Sequence, residues 1–203
     1  MPPSPARVPV CLVTGATGAG KSTLIRALAI ARPSTERWAV LNNDGGEFSP
    51  LQSDTSLTVA TAIGCACCTG QVMLQTAIVR LIRQTRPARL IIEAAATAEP
   101  AALKRALLQE HLARATQITL HLCVANAAQW AAYPPAARAL MLAQMQAADH
   151  VVARDHAAAA KMQKALADSG IAAEKIVQIE GAIRLALAGP APASSANAQR
   201  ISS

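Results

Sequence analysis

Aromatic side chains are almost missing, at 2% of 203 residues. The core must therefore be built from Ala, Leu, Ile and Val, and because each Ala buries little area, modest stability without ligand or partner is expected. Acidic residues are also scarce, 12 against 19 Lys and Arg, for a formal net charge of +7. That excess would suit nucleic acid or an acidic substrate. Yet the basic residues are scattered, and the aromatic platform on which bases stack is absent. Arg80, Arg83, Arg86 and Arg89 recur at helix-like spacing and read as a solvated helix face. No nucleic-acid partner is expected. No apolar run approaches the ~20 residues that span a bilayer, and Met1-Pro2-Pro3-Ser4-Pro5 lacks the charged-then-apolar order of a secretory signal. A cytoplasmic protein without a membrane partner is expected, its five cysteines reduced. Three of those cysteines fall within four positions, which also argues against a disulfide framework.

What is present alternates in type. Residues 8–14 form a short apolar run ending at a glycine, the mark of a buried strand. A helical pattern over 21–31 is closed by Pro33, and a second strand over 38–41 leads into the turn-rich Asn42-Asn43-Asp44-Gly45-Gly46-Glu47. Strands are expected at 57–63, 89–93, 118–124, 151–153 and 176–179, and helices at 71–83, 101–112 after Pro100, 136–147 and 157–167. This order predicts an α/β fold, a mostly parallel sheet with helices on both faces. The domain is expected to span 8–187, between a disordered N-terminus (1–7) and a flexible tail (188–203) rich in Pro, Ala, Ser and Asn.

Between the first strand and the first helix stands Gly15-Ala16-Thr17-Gly18-Ala19-Gly20-Lys21-Ser22, which fits G-x-x-x-x-G-K-[S/T]. Its glycines allow a compact loop whose N–H groups point inward at phosphates, and the following helix adds the positive end of its dipole. Lys21 is expected on the β- and γ-phosphates and the Ser22 hydroxyl on Mg²⁺, with Thr23 next to it in the same helix start. A carboxylate from Asp44, Glu47 or Glu93 should assist the cation or the attacking water. Glu93, at the end of a buried strand, is the natural second Mg²⁺ ligand; its plainer role would be to cap a helix, and Asp44 and Glu47 also read as ordinary turn residues.

Gly64-Cys65-Ala66-Cys67-Cys68-Thr69-Gly70 is the second concentration of chemistry. Thiolates suit Zn²⁺, Cu(I) and, less selectively, Co²⁺. Three sulfurs this close can hold one ion and leave a fourth position for water, a histidine or a partner's ligand, an incomplete shell that favours passing a metal on. Core packing and redox sensing are the competing readings. Cys11 and Cys123 lie inside strand runs and read as core, and His111, His121, His150 and His156 are isolated.

The P-loop followed by Gly-Cys-x-Cys-Cys resembles the CobW-like branch of the SIMIBI-class P-loop GTPases, relatives of the hydrogenase and urease nickel-insertion GTPases. The likeness continues through Asn43-Asp44-Gly45-Gly46-Glu47, through Ile91-Ile92-Glu93 with Glu99-Pro100, and through Gln144-Met145-Gln146-Ala147-Ala148-Asp149. It implies a GTP-hydrolysing metallochaperone that uses Mg²⁺ and carries zinc or cobalt at Cys65, Cys67 and Cys68 to a client metalloprotein, slow alone and completed by a partner or dimer mate. Three departures accompany it. Ala96 replaces the glycine whose N–H approaches the γ-phosphate; Val152-Ala153-Arg154-Asp155 replaces the guanine-reading Asn-Lys-x-Asp, leaving Asp155 alone to meet the base; and the chain ends where a C-terminal domain often starts. They keep two alternatives open: a nucleotide-binding module with little hydrolysis, and a small ATP-dependent ATPase or kinase with incidental cysteines.

Overall fold

In the computed structural model residues 7–45, 56–62 and 69–188 are described. Seven strands run β1 Val8–Gly15, β2 Trp38–Asn42, β3 Leu57–Thr61, β4 Arg89–Glu93, β5 Thr116–Val124, β6 His150–Ala153 and β7 Ile176–Gln178. They pair in the order β3-β2-β4-β1-β5-β6-β7, with every pairing parallel. The helices are α1 Lys21–Ala31, α2 Thr69–Thr85, α3 Pro100–Leu107, α4 Glu110–Ala113, α5 Ala127–Ala132, α6 Pro135–Ala147, α7 His156–Ala165 and α8 Ile179–Ala188. Among the described residues no helix is long and apolar enough to cross a membrane.

Strand side chains alternate between two cores, as the period of two requires. Val10 and Leu12 of β1, with Leu90 and Ile92 of β4, face Leu74 and Ile78 of α2 and Leu103 and Leu107 of α3. Val13 and Ile91 face the other way, onto Leu24, Ile25 and Leu28 of α1 and Ala182 and Ala186 of α8. A third cluster joins Cys123, Val151 and Ala153 to Met141 and Met145 of α6 and Met162 of α7. Fully buried Trp38 supplies much of the missing aromatic bulk, and Arg89 stacks 5.7 Å from its ring. Arg89 also donates to the carbonyls of Ala186 and Leu187, at 3.0 and 3.4 Å, and so ties the C-terminal turn of α8 to the sheet. It opens β4, as the strand expected over 89–93 implied, and so does not continue the spacing of Arg80, Arg83 and Arg86 on a solvated face.

Several expected elements change shape. The helix expected over 101–112 breaks after Leu107, with Gln109 extended (ψ 140°). A continuous helix carrying Leu103 and Leu107 inward would next present Glu110 and His111 to the core; the break turns Leu112 in instead. Helix α5 was not expected, although Asn126 caps it, its side chain accepting from the Ala128 N–H at 2.9 Å. The last strand stops at Gln178, and Ile179 opens α8, whose apolar residues recur at helical spacing.

Candidate functional site

A parallel sheet collects its ligands beyond the carboxyl ends of its strands. Here those ends bring together the loop after β1, the turn after β2, Glu93 at the end of β4, and the turns after β5 and β6. The loop after β1 depends on Gly15, where φ is +138° and a Cβ would stand 2.4 Å from the Val124 carbonyl oxygen. No side chain fits between β1 and β5 there. Ala16, Thr17, Gly18 and Ala19 carry the loop round, closed by an Ala19 N–H to Ala16 carbonyl bond of 3.2 Å. Gly20 then starts α1 at φ +108° with no side-chain cap, so the first N–H groups of the helix face the loop without an internal partner. That is the arrangement an anionic phosphate satisfies. Gln129, on α5, donates to the Thr17 carbonyl at 3.2 Å and holds the loop from outside. Sequence reading overlooked it because α5 itself was overlooked.

Lys21 is 3% exposed. Its ammonium donates to the carbonyls of Gly15 and Ala16, at 3.0 and 3.1 Å, and pairs with the Asp44 carboxylate at 3.0 Å. A buried ammonium needs that many partners, since one unpaired would cost several kcal/mol (about 3–5). The other Asp44 oxygen accepts the Ala96 N–H at 2.7 Å. Asp44 thus bridges the phosphate-loop lysine and the backbone amide that was expected to be compromised by loss of glycine. Ala96 presents its N–H without strain, because among the described residues only Arg86 is a non-glycine with positive φ. Gln144, fully buried in α6, donates to the carbonyls of Ala96 and Ala98 at 3.1 and 2.9 Å and holds that turn in place.

Ser22 donates to Glu93 Oε1 at 2.9 Å, while Glu93 Oε2 is buried without a partner among the described atoms. Burial raises the Glu93 carboxyl above its ordinary range, opposed by the Ser22 hydroxyl and the Lys21 charge. A hydroxyl and a desolvated, half-satisfied carboxylate side by side fit Mg²⁺, which takes oxygen ligands and keeps part of its water shell. The two residues lie together because Glu93 is registered against Val13 at the root of the loop.

A cavity of about 240 Å³ continues from the loop toward β6, lined by Gly18, Thr23, Asn126, Ala153, Arg154 and Ile179 among others. Asp155 is not part of its lining. One of its oxygens caps α7, accepting from the Ala158 N–H at 2.8 Å, and the other accepts from Arg154 Nε at 3.3 Å. Those bonds hold the carboxyl below its usual range, the Ala158 amide most of all.

Glu47, Cys65, Cys67 and Cys68 lie outside the described residues. Their neighbours do not: Asn43 donates to the Ala62 carbonyl at 2.6 Å, tying the turn after β2 to the end of the strand that leads toward the cysteines. No group of three metal-binding side chains occurs among the described residues. Cys11 and Cys123 are strand residues whose thiols burial pushes up to about 12, so neither is a ready thiolate. His121 is a core histidine: Nδ1 donates to the Ala147 carbonyl at 3.1 Å and Nε2 meets the Thr14 hydroxyl at 3.0 Å, while burial lowers its pKa to about 4.

These features are those of a P-loop nucleotide-binding domain. Residues 9–177 match the CobW/HypB/UreG nucleotide-binding domain, and the chain belongs to that family. The chain is 36% identical to the zinc chaperone YeiR of Escherichia coli (strain K12) over 93 residues, 44% of this chain and 28% of that protein. Its fold is similar to that of the Zn(II)-bound YjiA GTPase from E. coli (TM-score 0.52, 18% identity, 89% of this chain and 54% of that one). It is similar also to the hydrogenase maturation factor HypB from Archaeoglobus fulgidus (TM-score 0.51, 17% identity, 89% and 88% of the two chains). The chain thus matches less than a third of the length of YeiR and about half that of YjiA.

Proposed function

We propose that this chain is a cytoplasmic metallochaperone that binds GTP with Mg²⁺, hydrolyses it slowly, and couples the cycle to uptake and release of a thiophilic metal for a client metalloprotein. The phosphates lie along Gly15–Ser22, Lys21 neutralises the β- and γ-phosphates, and the N–H groups at the start of α1 cradle them. Ser22 and Glu93 would hold Mg²⁺, which supplies charge neutralisation at the transferring phosphoryl group when bound. Asp44 and Glu47 would orient the attacking water, and Asp155 would stand next to the residues that meet the base. The cargo is zinc or cobalt on Cys65, Cys67 and Cys68, and a client or a dimer mate completes both the metal's shell and the slow active site. The kinship with a zinc chaperone and with a Zn(II)-bound GTPase supports zinc first.

One observation carries the coupling. Asp44, bonded to Lys21 and to the Ala96 amide, directly follows Asn43, which is bonded to Ala62 on the way to the cysteines. A γ-phosphate that takes Lys21 and the Ala96 N–H must displace the Asp44 carboxylate, and that movement pulls on Asn43 and Ala62. Zinc affinity, measured by competition with a chromogenic chelator, should differ between the nucleotide-free and Mg²⁺–GTP states. The difference should vanish in Asn43→Ala while both ligands still bind. If a variant with Cys65, Cys67 and Cys68 all changed to Ser took up zinc as tightly as the parent, the carrier reading would fail. Multiple-turnover phosphate release that is lost in Lys21→Ala tests the hydrolase separately.

A further inference from the structure

We infer that the cavity beside the phosphate loop selects 6-oxopurines through Arg154, which reads the O6 and N7 edge of the ring, and that Asp155 positions Arg154 instead of reading the base. The inference rests on the nucleotide binding proposed above and deepens it. Much of the cavity wall is apolar, with Val124, Val152, Ala153 and Ile179 contributing to it, a lining suited to the faces of a base. Its polar side chains are Thr23, Asn126 and Arg154, and no carboxylate lines it. Asn126 has its oxygen engaged as the cap of α5. Both Asp155 oxygens are engaged within their own turn, one by the Ala158 amide and one by Arg154 Nε. Only Nε of Arg154 is used in that pair, so among the described residues its two terminal nitrogens have no partner.

A guanidinium fork matches the two adjacent acceptors O6 and N7 of guanine. Adenine carries an amino donor in place of O6 and meets the fork donor to donor. The 2-amino group, which a carboxylate would read together with N1–H, plays no part in this scheme. Guanine and hypoxanthine are then equivalent, and loss of N7 is costly. Because the Arg154 side chain is 84% exposed, discrimination is expected at the weak end for such a pair, on the order of tenfold.

The test is equilibrium binding of GTP, ITP, 7-deaza-GTP and ATP, each with Mg²⁺, to the parent, Arg154→Ala and Asp155→Ser, the last chosen because serine still caps α7. Expected are GTP and ITP within about threefold, with 7-deaza-GTP and ATP on the order of tenfold weaker. Arg154→Ala should level all four, and Asp155→Ser should narrow the preference without reversing it. Weak ITP with tight 7-deaza-GTP, left intact by Arg154→Ala and lost in Asp155→Ser, would overturn the inference in favour of a carboxylate reader. Equal binding of all four by the parent would overturn it too. Binding that survives Lys21→Ala unchanged would instead bring down the underlying nucleotide reading, and the two failures are distinguishable on the same titrations.

Discussion

The two ends of the cleft are built on opposite principles. At the phosphate end, Lys21 and Glu93 are buried, each held by its neighbours: three partners for the ammonium, and Ser22 for one carboxylate oxygen. At the base end, Arg154 and Asp155 sit on the surface, with side chains 84% and 52% exposed. A triphosphate carries charge that must meet prearranged countercharge in a dry place, and such groups cannot be exchanged without leaving another unpaired. A base is flat and neutral, and is recognised by fitting a slot and by one or two edge contacts. On the proposed reading, loss of the Asn-Lys pair should therefore touch the choice of base and leave the holding of phosphate intact.

The comparison breaks first at Gly15. Gly15→Ala should cost about 3 kcal/mol or more in urea unfolding, combining backbone strain with overpacking against Val124. Gly170→Ala is the matched control, with φ +68° and nothing within 4 Å of the added methyl, and should cost only about 1–2 kcal/mol. Equal costs would show that close packing of β1 on β5 is not what holds the loop. Next in size, Lys21→Ala should weaken nucleotide binding about a hundredfold, as loss of a charge-assisted contact to phosphate implies. It should do so by the same factor for GTP and ATP. A change in their ratio would mean that the two ends are not independent.

Legibility in the sequence follows the same division. The bounds of α1 and β4, and with them the place of the loop from Gly15 to Ser22 between β1 and α1, were readable, because buried strands and helix starts impose residue types at fixed spacing. The partner of Asp44 was not readable. Nothing local in Asn43-Asp44-Gly45 says that its carboxylate reaches both Lys21 and the Ala96 amide, 52 residues apart from the latter. Gln144 was noticed as part of a resemblance, yet its work, two bonds to the turn around Ala96, depends on how α6 packs. Helix α8 was hidden by Gly181, which lowers helix propensity although a Cβ there would meet Val177 Cβ at 3.4 Å, an ordinary contact. Arg89 was readable as the first residue of a strand, but its contacts with Trp38 and with the last turn of α8 depend on packing that no local pattern announces.

Acidification should separate the two kinds of buried group. His121 has a pKa lowered from 6.5 to about 4, so the unfolded chain takes up the proton first as pH falls. Its contribution is intact above pH 6.5 and is lost progressively toward pH 4, by up to about 3 kcal/mol. Glu93 works in the other direction: its carboxyl is raised by burial, so protonation relieves the folded state. Unfolding free energies measured between pH 7 and 4 should therefore fall less steeply in His121→Gln than in the parent, and more steeply in Glu93→Gln. Parallel slopes for all three would show that neither group governs acid stability.

The smallest effect belongs to the base end. Asp155→Ala removes the cap of α7 and should cost about 1 kcal/mol, the usual worth of such a cap, whereas Asp155→Ser should cost only a few tenths. Neither should change the absolute affinity for inorganic triphosphate, because the carboxylate is engaged by Ala158 and Arg154 and not by the phosphate loop. A loss of triphosphate affinity in Asp155→Ser, with stability unchanged, would join the two ends after all. It would place α7 in the same lever as Asp44 and Ala96, reached through Gln144 and α6, and the base would then be sensed by the switch and not merely seated beside it.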